Sequence, residues 1–87
     1  MPTDKYNVVV DLDGVLAEYH GWQGEEHIGA PIKGAREFLE ELGKRYRIVV
    51  ATARINSTRG KESMERNFVA VTEWLEQNNM PYDGCGS

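Results

Sequence analysis

The sequence predicts an α/β fold, a Rossmann-like three-layer sandwich built on a parallel sheet. Three observations predict it. Two short apolar runs rich in β-branched residues, YNVVVDL at residues 6–12 and YRIVVA at 46–51, read as buried strands. A helical pattern separates them and a second one follows, so the order is β-loop-α-β-loop-α. Two buried strands joined by a helix make a parallel, right-handed crossover unit.

The elements follow in turn. Residues 17–33 are irregular, punctuated by Gly21, Gly24, Gly29 and Pro31. Residues 34–46 read as a helix, because Ala35, Phe38, Leu39 and Leu42 fall on one apolar stripe. Gly43 weakens its last turn. The second strand runs into a polar loop, TARINSTRGK, at residues 52–61. Residues 62–78 form a second amphipathic helix, with Met64, Phe68, Val71 and Leu75 on one face, and Asn78, Asn79 and Pro81 end it. A third strand is then expected, but only GCGS follows Asp83. The expected fold is therefore one domain over residues 1–87, or the N-terminal part of one, truncated after the second βα unit. A short flap at residues 16–33 takes the place of any large cap domain.

Composition narrows the function. The chain has 87 residues, 40% hydrophobic and 28% charged, as in ordinary globular proteins. A domain this small buries about 60–65% of the surface its unfolded chain exposes. The net charge of -4 argues against a nonspecific nucleic-acid binder but allows a small anionic substrate. A single cysteine, Cys85, rules out an internal disulfide and fits a cytoplasmic setting. The first residues, MPTDKYN, carry no apolar signal segment, and no apolar run is long enough to span a membrane.

The chemistry concentrates at two strand ends. In parallel α/β sheets, sites lie at the carboxyl ends of the strands. The first end carries Asp11 and Asp13, the second Thr52 and Arg54. Two carboxylates at i, i+2 in an extended segment share one side. So close together, they need a counter-charge or a proton. Gly14 lets the chain turn away without crowding a ligand. Two carboxylates, a hydroxyl and a guanidinium suit Mg²⁺ plus a phosphate. Magnesium takes carboxylate and phosphate oxygens and keeps several waters, and Arg matches phosphate through two N–H groups.

VVVDLDGVL followed by IVVATAR resembles the haloacid dehalogenase-like superfamily of phosphohydrolases. That family's first motif is an apolar strand with D-x-D-x-T/V, and its second an apolar strand ending in Thr or Ser. Thr52 lies 41 positions after Asp11, which leaves room for a flap only. GAREFLEEL before the second strand is similar to the family's first helix. T-A-R, a polar loop and a helix containing W-L resemble the 3′-phosphatase domain of polynucleotide kinases and small phage or bacterial relatives.

The resemblance implies Mg²⁺-dependent hydrolysis of phosphate monoesters through an aspartyl-phosphate. By it, Asp11 is the nucleophile. Asp13 protonates the leaving oxygen and then activates water. Thr52 and Arg54 bind phosphate, and Mg²⁺ is held by the Asp11 carboxylate and the Asp13 backbone carbonyl. The substrate would be a phosphorylated small molecule or a nucleic-acid end. The family's third motif, a Lys, and its fourth, acidic after a third strand, have no clear counterpart. Lys61 or Arg59 would stand in for the first, and Asp83 fits the second poorly.

Other readings stand beside this one. The chain can be a catalytically incomplete fragment acting as a binding or assembly module, or two copies can pair through an uncovered sheet edge. A phospho-acceptor receiver needs an acceptor Asp after a later strand. An EF-hand loop needs its Gly two positions later and Glu, not Trp22, in the last position. His20, Trp22, His27 and Trp74 read as packing or exposed residues, and Cys85 as an inert tail thiol.

Overall fold

A computed structural model describes residues 6–21, 27–55 and 60–86. Trp22 and Arg59 lie outside the described residues. Five elements follow one another: β1 (Tyr6–Asp11), α1 (Ala35–Gly43), β2 (Tyr46–Ala51), α2 (Lys61–Gln77) and β3 (Gly84–Gly86). The sheet has the order β1-β2-β3 and is parallel throughout. In register, Val8 faces Ile48, Val10 faces Val50, and Asp11 faces Ala51. The expected Rossmann-like α/β core is therefore present.

The third strand is where pattern and structure differ. GCG carries little β propensity, because glycine has no side chain to pack. The backbone ladder recruits it nonetheless, pairing Val49 with Gly84, Val50 with Cys85 and Ala51 with Gly86. Asp83 fastens its start. The Asp83 carboxylate accepts the Ile48 N–H at 2.7 Å, and the Asp83 N–H donates to the Ile48 carbonyl at 2.8 Å. Cys85 is thus no tail residue. It packs half-buried against the core, and burial pushes its thiol pKa up.

Both crossovers run in the same direction across the sheet, so right-handed connections place both helices on one face. One core cluster collects that face: Val10, Ile48 and Val50 from the strands, Leu39 from α1, and Val71, Trp74 and Leu75 from α2. Among the described residues, no helix covers the opposite face. Val9, read from sequence as buried, is 67% exposed. A continuous apolar run cannot report which of its faces is covered.

The helix stripes also shift. Phe38 and Phe68 turn outward, each close to half exposed. The buried side of α2 is Ser63, Asn67, Val71, Trp74 and Leu75. Two polar residues occupy its first turns, which hides the stripe from a purely apolar pattern. The helix ends as its asparagines predict. Asn79 adopts φ 56°, and the Met80 N–H returns to the Leu75 carbonyl at 2.8 Å, with both side chains buried.

Asn67 is the one oddity of this core. Its amide Nδ2 donates to the Ser63 carbonyl at 2.9 Å, but its buried Oδ1 has no partner among the described residues. A buried unpaired carbonyl costs about 1–3 kcal/mol. Asn67→Leu, of similar size, is expected to stabilise the chain by about 1 kcal/mol, read as a higher melting temperature. A lower one would mean that Oδ1 finds a donor in solution.

Candidate active site

The paired register sets the site. Asp11 ends β1 beside Ala51, so Thr52 leaves the neighbouring strand next to it. Asp11 is exposed, and its Oδ1 accepts the Leu12 N–H at 2.8 Å. After it the chain makes a tight turn. The Leu16 and Ala17 N–H groups both return to the Leu12 carbonyl at 2.9 Å, and the Gly14 N–H donates to the Ala17 carbonyl at 2.7 Å. Gly14 has φ +81°, a backbone conformation that favours glycine.

Asp13 stands in this turn and meets Arg54 from the second strand end. The guanidinium Nε donates to Asp13 Oδ2 at 2.8 Å and Nη2 to Oδ1 at 2.9 Å. This is a two-pronged, charge-assisted pair. It supplies Asp13 with the counter-charge that the D-x-D spacing demands. The Arg54 side chain is 5% exposed and that of Asp13 22%. The Arg54 backbone N–H also donates to Thr52 Oγ1 at 3.2 Å. That leaves the Thr52 hydroxyl proton for another acceptor. Thr52 itself is buried, and its N–H donates to the Gly86 carbonyl at 2.9 Å, so β3 helps fix it.

The flap returns to the site's base. The Glu18 N–H donates to the Ala30 carbonyl and the Ile32 N–H to the Leu16 carbonyl, both at 2.8 Å. The Trp74 indole N–H holds the Gly29 carbonyl at 2.9 Å, tying the flap to α2. His20 and His27 are exposed, and His20 contacts only the neighbouring Glu18, at 3.2 Å, among the described residues.

No protein-family model matches the chain. It is 34% identical over 84 residues to the D-glycero-beta-D-manno-heptose-1,7-bisphosphate 7-phosphatase of Vibrio cholerae, an alignment that covers 88% of this chain and 44% of the relative. The chain therefore spans less than half the length of the curated relative it matches. A crystal structure of a structural-genomics target from Vibrio cholerae superposes with a TM-score of 0.76 and 27% identity, covering 93% of this chain and 68% of that one. Both likenesses support the haloacid dehalogenase-like phosphatase superfamily that the two strand-end motifs resemble.

Against the superfamily's pattern, Asp11, Asp13, Thr52 and Arg54 gather at two adjoining strand ends. Lys61 does not join them by any hydrogen bond or ion pair among the described residues. It opens α2, exposed, behind Gly60. Asp83 holds Ile48 instead, three residues before the carboxyl end of β2. The Asp13–Arg54 fork escapes sequence pattern because 41 residues separate its partners. One signal was available: opposite charges placed two and three residues beyond the ends of adjacent parallel strands.

Among the described residues, no three His, Cys, Asp or Glu side chains cluster as a metal site. Arg54 engages both Asp13 oxygens, so Asp11 is the carboxylate left for a cation. One exposed carboxylate is a single hard oxygen donor, of the kind that a largely hydrated magnesium ion takes.

Proposed function

We propose that this chain carries the nucleophile half of a phosphatase that hydrolyses phosphate monoesters through an aspartyl-phosphate, with Mg²⁺ as cofactor. The observation that carries the reading is the placement of Asp11 at the carboxyl end of β1, one strand away from the buried Thr52.

Asp11 Oδ1 accepts the Leu12 N–H, which leaves Oδ2 the less engaged oxygen for the attack on phosphorus. The P–O ester bond breaks as the new P–O bond forms, and the leaving oxygen takes a proton that Asp13 carries on an oxygen lone pair outside the Arg54 fork. Asp13, then a carboxylate, accepts a proton from the water that attacks the aspartyl-phosphate. Inorganic phosphate leaves and Asp11 is restored. The Thr52 hydroxyl donates to a non-bridging phosphate oxygen. Magnesium, held by the Asp11 carboxylate and the Asp13 backbone carbonyl, would offset the negative charge on the transferring group.

Two substrate classes follow. The curated relative's name supports a sugar phosphate. The T-A-R loop's resemblance to polynucleotide 3′-phosphatases supports a nucleic-acid end. The test is hydrolysis of an aryl phosphate with Mg²⁺ and with EDTA. Turnover that disappears with EDTA is the expected result. A folded chain with no turnover would make it a binding or assembly module.

A further inference from the structure

We infer that Arg54 is a positioning residue, which holds Asp13 in its working orientation and does not bind the substrate's phosphate. The inference rests on the phosphatase reading above. It departs from the family resemblance, which assigns Arg54 to phosphate.

Both Asp13 oxygens are engaged by one guanidinium, at 2.8 and 2.9 Å. The guanidinium is the more buried partner, at 5% against 22% exposure. A phosphate dianion arriving from solvent would have to displace the carboxylate to reach the same two N–H groups. That exchange would leave Asp13 without its counter-charge in a partly buried site, and removing one partner from such a pair is costly. The cheaper arrangement keeps the fork intact, and because the Arg54 side chain is 5% exposed, its N–H groups outside the fork offer little surface to a phosphate in solvent.

The positioning has a clear object. Asp13 stands outside β1, in a turn whose backbone bonds run between Leu12, Gly14 and Ala17. None of these fixes the Asp13 side chain. The fork does, and the Arg54 amide, bonded to Thr52 Oγ1, ties the same residue to the second strand end. Arg54 thus sets the spacing between the proton-transfer group and the phosphate-binding hydroxyl. Misplacing a catalytic group by about 1 Å can cost on the order of a hundredfold in rate.

The test compares wild type, Arg54→Lys, Asp13→Asn and the double variant. Lysine keeps the charge but loses the two-pronged geometry. With para-nitrophenyl phosphate, Arg54→Lys is expected to lower kcat by about ten- to a hundredfold. KM, and competitive inhibition by inorganic phosphate, should stay within about twofold. The double variant should be no slower than Asp13→Asn, because the two residues act as one unit. A tenfold rise in KM and in the phosphate inhibition constant, with kcat kept, would overturn the inference and return Arg54 to phosphate.

A wild type without turnover sinks the phosphatase reading instead, and two readouts still decide the role of Arg54. Melting-temperature losses of the two single variants should overlap in the double. The stabilisation of the fold by inorganic phosphate should survive Arg54→Lys. Additive losses, or loss of the phosphate effect, would count against the positioning role.

Discussion

Asp11→Asn is expected to lower aryl phosphate turnover by at least about a thousandfold, since on the proposed mechanism Asp11 is the nucleophile. The substitution is well suited to the question because it preserves shape. Asparagine keeps an Oδ1 that can accept the Leu12 N–H, the one hydrogen bond that the Asp11 side chain makes among the described residues. Asp11 is exposed, so no buried charge is left behind. The melting temperature should therefore change little while activity collapses. Asp13→Asn gives the contrasting result. It breaks a charge pair with a buried guanidinium, so both activity and stability should fall. Turnover by Asp11→Asn close to that of wild type would remove Asp11 as nucleophile. Any hydrolysis would then have to begin with water or with another side chain.

The residues that made this site legible are those whose chemistry is local. Asp11 and Thr52 each follow a β-branched run, and a parallel crossover puts such strand ends side by side whatever the intervening loops do. What escaped depends on partners distant in sequence. Arg54 follows Thr52 in a polar loop, and nothing near it in sequence says that its guanidinium turns onto Asp13. Val9 sits in the middle of an apolar run, and its exposure follows from both helices crossing on one side. Gly84–Gly86 lacks any side-chain signal, and only the ladder with β2 reveals it as a strand. Ser63 and Asn67 are polar and lie outside the Met64, Phe68, Val71 and Leu75 stripe, yet they face inward. In each case the deciding interaction joins separate elements, which composition and periodicity do not encode.

Gly29→Ala is expected to destabilise the fold by about 2–4 kcal/mol, a large share of the roughly 4–13 kcal/mol that a chain of this length commands. The reason is a backbone collision. A Cβ added to Gly29 would run into the carbonyl of Glu18. That carbonyl cannot retreat cheaply. The Glu18 N–H is bonded to the Ala30 carbonyl, Ala17 bridges Pro31, and the Ile32 N–H is bonded to the Leu16 carbonyl. Leu16 and Ala17 are fully buried, so moving this segment disturbs the core as well as the flap. The Gly29 carbonyl is itself held by the Trp74 indole, which resists movement from the other side. The melting temperature should fall by about 10–25 °C. Gly21→Ala is the control. Gly21 has φ +96° but, among the described residues, open space where the added methyl would sit, so it should cost only about 1 kcal/mol of backbone strain. Equal, small losses for the two variants would mean that residues 27–33 do not pack on 16–18 in solution. The flap would then hang from α1 alone, without the Glu18–Ala30 and Trp74–Gly29 bonds.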